Sequence, residues 1–208
     1  LQGFLTSAYP SIILTRLAFP DNVMQELSTH SKETLNETSN AVDQSIQKAW
    51  KVVVVGILTR KCCEPLAAVK GIAATYRMTN RPPPAQPSIF VASITRPMKD
   101  FSSAFHAQVP TTVGRDWKLK VLEQVASEYT VAVEQLIATV ERTEVALQRQ
   151  NNRVRRARVV ASGGLSDGEK VKLQLHLDCV AFERDLADLD VNPTEIPSFL
   201  TLKELTKK

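Results

Sequence analysis

Glycine is scarce in this chain, with seven in 208 residues. All-β folds place glycine at their many tight turns, so the shortage argues for helices. Cysteine is scarcer, at positions 62, 63 and 179. Cys62 and Cys63 are adjacent and Cys179 is distant, so no disulfide framework is visible and a reducing compartment is expected. Charge of one sign is also lacking. A net charge of +4 and a pI near 9.0 are too mild to argue for nucleic acid as a partner. No apolar run is long enough for a membrane span, because Pro10 and Arg16 interrupt the apolar segment Phe4–Phe19. Because the chain opens on Leu1 and not on methionine, it is expected to be a piece of something longer, and a signal sequence ahead of it stays open.

What is present suits a soluble globular protein able to bury a core: 43% hydrophobic and 23% charged residues. Residues 1–30 read as two short helical pieces, with Pro10 and Pro20 in first-turn positions and Asp21 and Asn22 suited to a helix start. From Ser31, one helical stripe runs through Leu35, Val42, Ile46, Trp50, Val53 and Ile57. The run "VVVVGIL" (52–58) would also suit a buried strand, but the upstream period favours helix. Pro65 then breaks or kinks the chain, and a further helix carries Leu66, Val69, Ile72, Ala73 and Tyr76. "TNRPPPAQP" (79–87) is the clearest loop, since three consecutive prolines favour an extended backbone. Phe90, Ile94, Met98, Phe101 and Phe105 mark the next helix, with a bend at Pro97.

The longest pattern, Asp116 to Arg149, puts Trp117, Val121, Val125, Tyr129, Val133, Leu136, Val140 and Leu147 on one side. At about 1.5 Å per residue it spans roughly 50 Å and needs neighbours along its length. After a hinge at 159–165, a helix from Asp167 to Leu189 carries two apolar rows. One is Val171, Leu175, Cys179, Phe182, Leu186 and Leu189; the other is Leu173, Leu177 and Val180. Two rows predict more than one packing partner, so Val171, Leu173, Leu175, Leu177, Val180, Phe182 and Leu186 are the candidate subunit-docking residues. Pro193 opens a last short helix ending near Leu205.

"SGGLSDGEKVKLQLHLD" (162–178) invites a phosphate-loop reading, because Gly163 and Gly168 have the required separation. Glu169, however, stands where the lysine belongs, and its charge repels phosphate. Ser166 and Glu169 instead form the S-x-x-E signature of a helix start, with Asp167 adding negative charge at the positive helix end. His30, His106 and His176 fall on separate helices, so no metal site is expected. Cys62–Cys63 reads as the buried end of a helix. No catalytic constellation or cofactor fingerprint survives, and no enzyme activity or cofactor is expected. The basic run "RQNNRVRRAR" (149–158) carries Arg149, Arg153, Arg155, Arg156 and Arg158. It reads as a solvated helix C-terminus or, more sharply, as a patch for anionic lipid or an acidic partner.

Three stretches carry a resemblance: "TYRMTNRPPPAQPSIFVASITRPM" (75–98), "SGGLSDGEKVKLQLHLDCVAF" (162–182) and "PSFLTLKEL" (197–205). In content and order they resemble the C-terminal part of subunit 2 of the conserved oligomeric Golgi complex. The resemblance implies an all-α fold of elongated antiparallel helical bundles of the multisubunit-tether type. It implies a non-catalytic vesicle-tethering subunit that supports intra-Golgi retrograde transport, Golgi organisation and glycosylation from the cytosolic face of the Golgi membrane. The implied partners are the other subunits of that complex, with SNAREs, Rab GTPases or golgins beyond them, and no nucleic acid. The expected organisation is a helical segment over 1–78 and a bundle over 88–208, joined by the proline-rich loop, or one continuous domain. A helical scaffold outside the Golgi, or a helical lipid-binding or hydrolase domain with an enclosed pocket, are the alternatives.

Overall fold

The computed structural model describes residues 20–77, 79, 81–105, 109, 115–154 and 165–207, the side chains of 148 and 150–154 excepted. The described residues contain no strand. The chain divides into two compact units, Leu1–Val54 and Val55–Lys208. This boundary lies upstream of the proline-rich stretch, which belongs to the second unit.

The described part of the first unit is one helix, α1 (Asp21–Ala49), followed by a π-helical turn that begins at Trp50 and runs to Val55. Asp21 puts negative charge in the first turn, as the sequence suggests. The break expected near residue 30 is absent. Serine and threonine disfavour helix interiors by competing for backbone bonds, but here the competition is resolved inside the helix. The hydroxyls of Thr29, Thr34, Thr38 and Ser45 donate to carbonyls one turn back, at 2.8–2.9 Å. No residue of α1 is buried. The run of valines at 52–55 is helical, not a strand, and its crowded β-branched side chains coincide with the wider π winding.

In the second unit α2 (Gly56–Cys63) buries Leu58 and Cys62. Pro65 lacks the N–H that would continue the α pattern, and the winding tightens to a 3₁₀ stretch, Glu64–Gly71. The chain returns to α in α3 (Ile72–Tyr76). Beyond the proline-rich segment follow α4 (Ile89–Phe105), α5 (Asp116–Val154), α6 (Asp167–Ala187) and, after a 3₁₀ turn at Pro193–Glu195, α7 (Pro197–Thr206). Pro97 lies inside α4 without ending it.

The middle of α5 is the spine. It packs against α2, the first 3₁₀ stretch, α6 and α7. Helices α4 and α6 pack on each other, α4 also on α2, and α6 also on α3 and α7. With neighbours on several sides, the buried face of α5 is wider than one stripe. Leu122 and Ala126 are buried along with Trp117, Val121, Val125, Tyr129, Val133 and Leu136. Burial then stops, since Val140 is half-buried and Leu147 exposed, so the expected stripe outruns the core by more than two turns.

Aromatic side chains tie the layers. Phe90 of α4 meets Tyr129 edge-on at 6.4 Å, Tyr129 meets Phe182 of α6 at 5.8 Å, and Phe182 meets Phe199 of α7 at 5.9 Å. Edge-to-face pairs at such separations add about 0.5–1.5 kcal/mol each beyond area burial. The Tyr129 hydroxyl is buried with no hydrogen-bond partner among the described residues, and burial pushes its pKa well up. Tyr129→Phe removes that orphan while keeping the ring contacts. Chemical denaturation is expected to show the variant more stable by about 1 kcal/mol.

Candidate docking surface

Side chains of neighbouring helices bind the starts of two helices of the second unit. At the start of α4, Ser88 donates its backbone N–H to Asp178 Oδ1 at 2.6 Å and its hydroxyl to Asp178 Oδ2 at 2.8 Å. Asp178 belongs to α6 and is fully buried. Gln174, one turn earlier, donates from Nε2 to Asp178 Oδ1 at 2.9 Å and to the Gln86 carbonyl at 3.0 Å. Its own Oε1 accepts from the Tyr76 hydroxyl at 2.7 Å. This clamp joins α3, α6 and the proline-rich segment. Desolvation raises the Asp178 pKa, and the bonds from Ser88 and Gln174 oppose it. At α7, the Ser198 N–H and hydroxyl donate to Glu123 of α5 at 3.3 and 2.6 Å.

Helix α6 opens as its sequence indicates. Ser166 donates its N–H to Glu169 Oε2 at 2.6 Å, and Glu169 N–H donates to Ser166 Oγ at 3.2 Å, a reciprocal capping box. The Glu144 carboxylate lies against Gly168 in the first turn, where a Cβ would collide with it. Two negative side chains of the turn, Asp167 and Glu169, and this third carboxylate leave no anion-binding character at Gly168; Gly163 lies outside the described residues.

The candidate docking helix divides. Val171, Leu175, Phe182 and Leu186 are buried in the unit's own core, which corrects their assignment to a free surface. They face α3, α4, α5 and α7, the neighbours packed around α6. Leu173, Leu177 and Val180 are only half-buried and remain able to take a partner. Of the basic run, Arg149 is exposed on α5; the Arg153 side chain and Arg155, Arg156 and Arg158 lie outside the described residues. His106 also lies outside them, His30 and His176 are exposed on separate helices, and no metal-holding group of three or more ligands occurs among the described residues. Cys62 is buried at the end of α2, and desolvation, reinforced by Cys63, pushes its thiol up to about 12.

A cleft of about 250 Å³ lies between α3, α5 and α6. Ala73, Val140 and Val171 line it with Lys70, Arg77 and Glu144. Its two hydroxyls, Thr139 and Thr143, donate at 2.8 Å to backbone carbonyls one turn back. Among the described residues no helix is long and apolar enough to cross a bilayer.

Helix α1 buries none of its residues. Leu27, Val42 and Ile46 stand out on it, and Val52 and Val53 on the π turn that follows. A helix in water gains little from propensity alone, so an amphipathic face of this length is expected to be covered. Residues 5–179 match the family described as COG complex component, COG2, C-terminal. The chain belongs to that family. Its match ends at Cys179, in the middle of α6, although Phe182, Leu186, Phe199 and Leu202 complete the core beyond it. Relatives carry the same designation. Conserved oligomeric Golgi complex subunit 2 of Dictyostelium discoideum is 25% identical over 211 residues, covering 100% of this chain and 23% of the relative. The Arabidopsis thaliana protein of that name is 29% identical over 192 residues, covering 86% of this chain and 25% of the relative. The Homo sapiens one is 27% identical over 155 residues, covering 73% and 21%. The chain therefore spans about a quarter of the length of these relatives. No solved structure matches it.

Proposed function

We propose that this chain is a non-catalytic part of a Golgi vesicle-tethering complex. In this reading it works by geometry: packed helices hold apolar faces in place, and the other subunits of the complex cover those faces. The family match over residues 5–179 carries the proposal, because its relatives are by name subunits of an oligomeric Golgi complex. Two surfaces supply the mechanism. One is the α1 face of Leu27, Val42 and Ile46, and the other is the row Leu173, Leu177 and Val180 on α6. Association peripheral to the Golgi membrane, on its cytosolic face, and support of retrograde transport, Golgi organisation and glycosylation complete the reading. SNAREs, Rab GTPases or golgins are further partners it allows.

Co-purification of the chain with the other subunits of the complex tests the proposal. Val42→Glu with Ile46→Glu puts two charges one turn apart on the α1 face. Recovery of the other subunits is expected to fall at least tenfold, with the circular dichroism spectrum unchanged. Full recovery from the doubly substituted chain would contradict docking through α1.

The basic run supports a second contact in the same reading. Basic residues near an anionic surface contribute about 1 kcal/mol each, so Arg153→Glu, Arg155→Glu and Arg156→Glu together are expected to weaken sedimentation with anionic vesicles at least tenfold. Unchanged sedimentation leaves the run as a solvated helix end.

A further inference from the structure

Residues 44–99 hold nine lysines and arginines against one acidic residue, Glu64. Over the whole chain 26 basic residues nearly balance 22 acidic ones, so this excess is local. Two of the nine are paired within the fold: Arg96 with Asp100, and Lys99 with Asp185 and Asp188. Arg60, Lys61, Lys70 and Arg77 are exposed, and none makes an ion pair among the described residues. Cations without a counter-charge leave a positive field that an anionic partner can use.

The winding of the second unit gathers three of them in one line. Leu66 and Val69 are buried where the 3₁₀ stretch packs on α4 and α5. Side chains three apart eclipse in a 3₁₀ helix, so Glu64, Ala67 and Lys70 stand in a row on another side, all exposed. Arg60 lies one α turn before Glu64, and Arg77 two turns beyond Lys70, so both prolong the row. The row is roughly 30 Å long at about 1.5 Å per α residue and about 2.0 Å per 3₁₀ residue, which matches a partner helix of about 20 residues. Its far end borders the cleft between α3, α5 and α6, which Lys70 and Arg77 line. Ala73, Ala74, Val140 and Val171 give that cleft an apolar lining, while Glu144 and Asp167 line it from α5 and α6.

We propose that the row from Arg60 to Arg77 is the docking surface for an acidic amphipathic helix of a neighbouring subunit. Lys70 and Arg77 lie roughly 11 Å apart along the winding, so carboxylates two turns apart on such a helix face both. One large apolar side chain between those carboxylates enters the cleft as an anchor. Glu64, the one acid of the row, sets the direction, because a base of the partner helix must fall there. The row carries no large apolar side chain to insert into a bilayer, and Glu144 and Asp167 repel lipid phosphate. A protein helix therefore fits it better than an anionic membrane. This inference rests on the tethering reading and names the chemistry of one partner within it.

The test is zero-length carbodiimide cross-linking of the co-purified complex, which joins an amine to a carboxylate in direct contact. Lys70 is expected to link to an aspartate or glutamate on a helix of another subunit, and its acetylation to slow at least tenfold relative to the chain alone. Arg60→Glu with Arg77→Glu keeps Lys70 as the reporter and should lower that cross-link at least tenfold, with the circular dichroism spectrum unchanged. Ala67→Trp should lower it as much, because a ring on the row holds a helix off. Against lipid the same ring would strengthen sedimentation with anionic vesicles, and that result would overturn the proposal. A complex that assembles with Lys70 unlinked, and acetylated as fast as in the chain alone, would overturn this inference and leave the tethering reading standing. Failure of the complex to assemble would remove both.

Discussion

Asp178→Ala is expected to cost about 2–4 kcal/mol, because it strands one hydrogen of Gln174 Nε2 in the buried interior and takes their acceptors from the N–H and hydroxyl of the half-buried Ser88. It also frees the start of α4 and the end of the proline-rich segment together. Asp178→Asn separates charge from hydrogen bonding. Its oxygen still accepts from the Ser88 N–H and Gln174, and its amide donates to the Ser88 hydroxyl. The buried charge is gone, so asparagine is expected to change stability by less than about 1 kcal/mol. The pH dependence follows from the raised pKa. The folded protein holds this proton more tightly than the unfolded chain, whose value is near 3.8. Stability from this group therefore falls as pH rises from 3.8 through the raised native value, and levels off above it. Urea denaturation across that window should show the slope in the parent and its loss in Asp178→Asn. A parent whose stability rises through the window by as much as that of Asp178→Asn would refute the assignment.

Phe182→Ala is expected to cost about 3–5 kcal/mol, the usual range for emptying a closed aromatic site. Phe182 is fully buried, and its ring meets Tyr129 and Phe199 edge-on, so one truncation loosens α5, α6 and α7 together. Domains are commonly stable by only 5–15 kcal/mol, so the variant should melt far earlier. Leu177→Ala, five residues before it on the half-buried row, should cost under about 1.5 kcal/mol, since its methyl groups already meet water. Differential scanning calorimetry of the two variants checks the contrast. Comparable losses would mean that the second row of α6 serves the unit's own core and is not free for a partner.

These residues show what the sequence conveys and where it falls short. The Ser166–Glu169 box is local, so the sequence placed the start of α6 correctly. The period of α5 identified its buried side as far as Leu136. Caps supplied by distant residues were not legible: Glu123 and Ser198 are 75 residues apart, and Ser88 and Asp178 are 90 apart. One signal was present. Gln174 and Asp178 fall on the same helix face as Val171, Leu175 and Phe182, and polar groups on a buried face demand partners. Likewise, the two rows of α6 could not be ranked from periodicity, because both fit the 3.6 repeat. The chain buries the row that faces α4, α5 and α7 and leaves the other half open. The change from α to 3₁₀ winding at Glu64 follows from Pro65, but its persistence to Gly71 depends on packing against α4 and α5.

In the proposed function, other subunits of a tethering complex cover the faces that this chain leaves open. Hydrogen exchange measured on the chain alone and in the assembled complex tests it most directly. Amides of α1 should exchange fast in the isolated chain and slow at least tenfold on assembly, while those of the α5 middle change little. Equal exchange of α1 in both states, with the complex demonstrably assembled, would contradict the account.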